Sequence, residues 1–233
     1  MANLKEPDEI LMHFLRSTVT EITRTGLANR QTNSATQSYN GTGSKTVFTL
    51  TNQPVCINSV SVGGATMVAY LDYQIDLDNK TVTFTTAPAI GVSNVVINHD
   101  TGTNWIYTDN PRDDLASSSY PRLVITSINE SGSLQGLNNS DTYDTLTFQI
   151  DVLAVKDQAC TNAGSDKIQG MDVAQLLARR VRTAMKNNWL DELMKYAFFN
   201  PVFINNIPIA FDEGNNLFRR VVTISFDALN VGE

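Results

Sequence analysis

The groups in this chain that could carry acid–base, nucleophilic or metal chemistry are few. There are two histidines and two cysteines among 233 residues. His13 and His99 fall on different predicted segments, and neither has a Cys, Ser or acidic residue at the spacing of a nucleophile–base pair. Cys56 and Cys160 do not make a disulfide framework or a zinc site, and two buried or half-buried thiols are expected. Asp72, Asp76, Asp78 and Asp100 are candidate calcium ligands. Only Asp76 and Asp78 have a loop-like x-D-x-D spacing, and without the rest of a calcium loop a solvated hairpin rim is expected. "SGSLQG" (131–136) reads as a hairpin loop, not a nucleophile elbow, and neither phosphate-binding glycine pattern occurs. What remains is basic. Arg179, Arg180 and Arg182, extended by Lys186, fan out from one predicted helix. Such a row could face nucleic acid in a channel, pair with carboxylates of a neighbouring copy, or be a solvated helix face. The scarcity of aromatics near it argues against a stacking platform for single strands. No catalytic arrangement, metal site or cofactor site is expected, so the chain reads as a protein that works by shape rather than as an enzyme.

Composition agrees with that reading. The chain is long enough for one large domain or two small ones, with 42% apolar residues, 18% charged residues and a net charge of −7. An acidic balance opposes a general phosphate-binding surface. No apolar run approaches the roughly 18 residues of a membrane span, and "MANLKEPDEI" lacks the layout of a secretion signal. The N-x-[ST] triplets at Asn40, Asn79, Asn129 and Asn138 are discounted for the same reason.

The elements that would position these residues can be read from periodicity. Pro7 to Thr25 is expected as a helix, with Ile10, Leu11, Phe14, Leu15 and Ile22 on one face and Gly26 ending it. Residues 27–45 read as a polar linker, and 100–121 as a second irregular stretch. Between them lie short strands at 46–50, 59–62, 73–77, 81–85 and 94–98, the pattern of a small antiparallel sandwich or barrel. Two strands (122–128, 145–152) follow. After a loop over 164–170 comes a helix over 171–186 with Val173, Leu176, Leu177, Val181 and Ala184 inward. A second short helix (189–199) and a hairpin (202–211 with 217–229) complete the chain, with Val222, Ile224, Phe226 and Ala228 inward. The expected class is α+β: an antiparallel sheet with helices on one face, formed by residues 1–30 and 119–233, plus an all-β insert with its linkers over 31–118.

The second half carries a resemblance. "SYPRLVITSINESG", "YDTLTFQIDVLAVKD" and "MDVAQLLARRVRTAMKNNW", after an N-terminal helix, resemble the tail terminator (tail completion) proteins of long-tailed phages and related archaeal viruses. That resemblance covers residues 1–30 and 119–233. It implies a homo-oligomeric, usually hexameric, ring in the virion, on the head-proximal end of the tail tube. Such a ring ends tube polymerisation, joins the tail to a neck or head-completion protein, and lets the genome DNA pass without sequence-specific binding and without a membrane. It also implies that Leu146–Leu153 and Phe218–Leu229 support the ring and that the 129–144 loop reaches the tube or lumen. Arg179, Arg180, Arg182 and Lys186 are then candidate subunit or lumen contacts, with Asp113, Asp114, Asp212 and Glu213 as possible partners. "FTLTN…VSVGG…YQIDLDNKTVTFTTAPAIGVSNVVI" is similar to small β-modules of phage tail and virion proteins, whereas the family's usual chain is shorter and lacks this insert. Two other readings stand beside it. One is another tail or neck ring protein, a tube subunit or an adaptor. The other is a glycan or host-surface binding module through the insert, which exposed Tyr70, Tyr73, Trp105 or Tyr107 would favour.

Overall fold

The computed structural model describes residues 7–24, 31–108, 120–135, 141–156, 159–161, 167–188, 198–214 and 216–231. In chain order the elements are α1 (Pro7–Thr18), β1 (Thr23–Arg24), β2 (Gln31–Gly41), β3 (Val47–Thr49), β4 (Pro54–Val62) and β5 (Ala65–Met67). Next come β6 (Tyr73–Asp76), β7 (Thr81–Phe84), β8 (Gly91–Gly102), β9 (Ile106–Tyr107), β10 (Arg122–Gln135) and β11 (Asp141–Val155). The chain finishes with β12 (Ala159–Thr161), β13 (Lys167–Gln169), α2 (Met171–Asn188), β14 (Phe198–Pro208) and β15 (Leu217–Val231). The fold is α+β, and it divides into two compact units. Residues 31–104 form the smaller; 7–24 and 105–231 form the larger. The chain thus returns to the larger unit at Trp105, earlier than the expected boundary at 119.

The larger unit is built on a five-stranded sheet in the order β14-β15-β11-β10-β9. All neighbours are antiparallel except β9, which runs parallel to β10. The alternation of β11 buries Leu146, Phe148, Ile150 and Val152. Its register pairs Leu146 with Phe226, Phe148 with Ile224 and Ile150 with Val222, so two apolar rows share one face. Phe148, Phe198 and Phe226 meet there, with ring centroids 5.6 to 6.4 Å apart. Both helices cover this face. α2 packs on β15 and β11, α1 on β10 and β9, and the helices touch each other.

Helix α1 ends at Thr18, not Thr25. Ser17 and Thr18 both donate their hydroxyls to the Phe14 carbonyl, at 2.9 and 2.6 Å. The β-branched residues that follow lose side-chain freedom in a helix. Ile22 is still buried, but from an extended segment, and Thr23–Arg24 pair with β12 in a small three-stranded sheet completed by β13. His13, on the same helix, is buried.

Arg16 is buried too, and it fixes the return of the chain. Its Nε and Nη2 donate to the Ile106 carbonyl at 3.0 and 2.7 Å. One residue earlier, the Trp105 carbonyl accepts the Leu123 N–H at 2.9 Å, and the Trp105 ring is fully buried.

The smaller unit contains a four-stranded sheet (β2-β8-β4-β5) and a three-stranded sheet (β3-β7-β6), with no closed barrel. Phe48, Tyr73 and Phe84 build its aromatic core; Phe48 and Phe84 meet edge-on at 5.5 Å. The stretch expected as a linker contributes β2, paired with β8 from Gln31 opposite Gly102 to Gly41 opposite Gly91. Polar side chains rather than apolar ones secure this strand: Thr36 Oγ1 donates to Asn98 Oδ1 at 2.6 Å, and Tyr39 Oη to the Thr49 carbonyl at 2.7 Å. His99 continues the inward row of Val95 and Ile97, and neither ring nitrogen of this fully buried side chain has a hydrogen-bond partner.

The expected second helix over 189–199 lies outside the described residues up to 197, and Phe198–Phe199 begin β14. The expected 164–170 loop ends in β13 at Lys167–Gln169. The 129–144 loop is, in its described part, paired strand: β10 and β11 run in register from Asn129 opposite Thr147 to Gln135 opposite Asp141. "SGSLQ" is therefore strand rather than turn.

Two outcomes follow. Replacing residues 31–104 by a short Gly/Ser linker should leave a cooperatively unfolding protein, because the larger unit keeps its own core. Replacing 31–118 instead removes Trp105 and the Ile106 acceptor and should cost about 3–5 kcal/mol more. Urea denaturation of the two proteins checks this, and equal stabilities would overturn the Trp105 boundary. Within the insert, His99→Leu removes a buried group that leaves hydrogen bonds unmade. Its unfolding midpoint should rise or stay level, the gain being up to about 1–3 kcal/mol; a clear fall would show that the imidazole is satisfied.

Candidate assembly surface

The basic cluster lies on α2. Gly170, at φ 51°, turns the chain into the helix, and Asp172 sits in its first turn, near the positive end of the helix dipole. Val173, Ala174, Leu177, Ala178, Val181, Ala184 and Met185 are buried. Leu176, expected inward, is only half-buried, and small Ala174 and Ala178 take that part of the stripe. The helical period then puts Arg179, Arg182 and Lys186 on the exposed face. Among the described residues none of these three meets a carboxylate within ion-pair distance.

Arg180 parts from the other three. Its Nη1 donates to the carbonyls of Thr20 and Glu21, at 2.6 and 3.1 Å, tying α2 to the segment that follows α1. Burial pulls its pKa below the ordinary arginine value. It ties two segments of the larger unit together, and its side chain is only half-exposed. Arg182 places its guanidinium 5.5 Å from the centre of the Phe203 ring, a cation–π contact that brings the exposed row up to β14.

β14 is the last strand of the sheet and has no neighbour on its outer side among the described residues. Val202, Ile204 and Ile207 on it, and Ile209 just beyond, are all exposed. Pro201 and Pro208 bracket the run. Proline in a strand marks an edge, because it cannot donate to a ladder. The two prolines are visible in the sequence, whose periodicity marks the segment only as one arm of a hairpin. At the other end, β9 pairs only with Leu123 and Val124, so the rest of β10 is also unaccompanied on that side among the described residues. Among the described residues the sheet is open at both ends, and its β14 end combines exposed aliphatic side chains with a nearby cationic row.

The sheet face away from the helices holds a buried, paired carboxylate. Asp151, 4% exposed, takes two hydrogen bonds from the half-exposed Arg219 at 3.0 and 2.9 Å, and Gln149 Nε2 adds contacts at 3.2 Å.

The other sequence candidates stay apart from this surface or explain themselves locally. Asp76 accepts the Asn79 backbone N–H and Nδ2 at 2.9 and 2.8 Å, the geometry of a polar turn. Among the described residues no group of three His, Cys, Asp or Glu side chains could hold a metal. Cys56 and Cys160 are buried and are not joined in a disulfide. Asp113 and Asp114 lie outside the described residues, Glu213 is exposed, and Asp212 bridges to Leu217 through its backbone. No helix among the described residues is long and apolar enough to cross a membrane. No protein-family model matches the chain, and no curated protein matches it.

The division among the arginines gives a stability test. Arg180→Ala should cost about 1–2 kcal/mol, because two carbonyls lose a charged donor. Arg179→Ala should stay within about 0.5 kcal/mol. Denaturation midpoints that coincide would place Arg180 back among the surface residues.

Proposed function

We propose that this chain is a virion structural protein that closes a ring of identical subunits at the head-proximal end of a tail, ends tail-tube polymerisation and joins the tail to the neck. The observation that supports it best is the β14 edge: an unaccompanied strand with exposed aliphatic side chains. Unpaired edge groups and apolar side chains in water are a liability that another strand or subunit removes. Because the other end of the same sheet is also open along β10 among the described residues, one copy's β14 can meet the next copy's β10. Contacts between two different surfaces of identical subunits generate rings when the rotation closes. Six subunits is the number the family resemblance implies. The neighbours along the tail are then the tube protein on one side and a neck or head-completion protein on the other, with DNA passing through the lumen without sequence readout. The exposed row of Arg179, Arg182 and Lys186 is a subunit or lumen contact on this reading.

A tube subunit or neck adaptor would use the same two edges and is the nearest other reading. The glycan-binding reading of the insert has less support. Trp105 and Tyr73 are buried, and the Arg122 guanidinium lies over one face of the Tyr107 ring at 4.1 Å, so two of the four aromatic candidates are withdrawn from solvent and a third is partly covered.

Arg179→Glu combined with Arg182→Glu should leave the subunit folded, since both side chains are exposed, but impair its assembly. Electron microscopy of virions carrying the double change should show tails of irregular length or tails without heads. Tails of normal length joined to heads would return these arginines to a solvated helix face.

A further inference from the structure

In the smaller unit, the loop leading into β8 is tied down on several sides. Gly43 N–H donates to the Pro88 carbonyl and Asn94 Nδ2 to the Ala89 carbonyl, both at 2.9 Å. Gly41 N–H donates to Asn94 Oδ1 at 2.7 Å, and Ser93 N–H to Asn40 Oδ1 at 2.8 Å. There is no spare room: a Cβ on Gly91 would lie 2.7 Å from the Asn94 side chain. This rigid loop holds two branched aliphatic side chains in water, Ile90 at 84% and Val92 at 86% exposure.

Beside it lies a half-open groove of about 370 Å³, walled by Val62, Met67, Leu71, Phe84 and Pro88. Ala89 lines the groove, but Ile90 does not; its Cγ1 leans over Gly43 instead, 3.3 Å from where a Cβ would stand. Asp72 is the one ionisable residue in the lining, and its Oδ2 already accepts the Val68 N–H at 2.8 Å. Thr85 Oγ1 is likewise engaged with the Leu71 carbonyl at 3.1 Å. The unit as a whole is sparsely charged, with Lys45 and Lys80 set against Asp72, Asp76, Asp78 and Asp100 over residues 31–104.

We propose that the groove receives the Ile90–Val92 tip of a second copy of this chain. Knob and hole both present apolar side chains, with Thr85 and Thr86 also lining the hole, and among the described residues neither is filled. The tip is already ordered, so little conformational freedom is lost when it docks. A patch with one hydrogen-bonded carboxylate gives no charge for an oppositely charged partner to select, and it lets two identical surfaces meet without strong repulsion. This contact joins inserts. It is separate from the sheet-edge contact of the ring reading and does not depend on it.

Cysteine pairing in the full-length chain tests it. Ile90→Cys and Leu71→Cys are made as separate proteins, the native Cys56 and Cys160 being buried. Under mild oxidation, a mixture of the two should give several-fold more covalent dimer on a non-reducing gel than either protein alone. Adding Val92→Asp to the Ile90→Cys protein should return the yield to that of the single proteins. Adding Arg179→Glu and Arg182→Glu should leave it unchanged, which separates this contact from the ring. A mixture that cross-links no better than its components, or a yield indifferent to Val92→Asp, overturns the proposal.

Discussion

Arg16 gives two N–H groups to a single carbonyl across 90 positions of sequence. A guanidinium 4% exposed must have its donors met, because an unmet buried charge is among the most costly defects a fold can carry. The Ile106 carbonyl takes two of those donors and ties α1 to β9, on the far side of the insert in sequence. The rest of the larger unit builds outward from that point. Trp105 is seated, β10 is aligned beside β9, and the sheet continues through β11 and β15 to an open edge at β14.

The two faces of this sheet are specified by different chemistry. The helix-covered face is dry, and its phenylalanines and aliphatic rows set the strand register, since a slip by one residue would turn every one of them outward. The other face keeps one carboxylate, Asp151, nearly out of water and gives it a two-pronged guanidinium partner. That pair adds directional constraint at the junction of β11 and β15, among buried apolar neighbours Val124 and Val221. Tyr120, Val124 and Leu153 form a small cluster on the same side, flanked by Val155 and Leu217.

Much of the larger unit was legible because its strands alternate cleanly. Leu146–Val152 and Val222–Ala228 announce a face by period alone, and both rows are buried as expected. The α2 stripe was legible for the same reason. What the sequence hid were contacts with no local signature. β2 has no apolar period: "TNSATQSY" looks like a linker, and only pairing with β8 makes it a strand. Arg180 reads like its neighbours until Thr20 and Glu21 are seen beside it, 160 and 159 residues away. The end of α1 was a contest between an apolar period that includes Ile22 and the local competition of Ser17 and Thr18 for the Phe14 carbonyl, and the local bonds won.

Gln31 stands opposite Gly102 in the β2–β8 ladder, so the smaller unit begins and ends on adjacent strands. For a gene, this makes the stretch between those two residues a cassette. A recombination event that exchanges it replaces one closed β-unit by another and presents the same pair of neighbouring ends to the host. The tip and groove carried by the cassette can then diversify at their own rate, while the residues that build the larger sheet stay under separate selection.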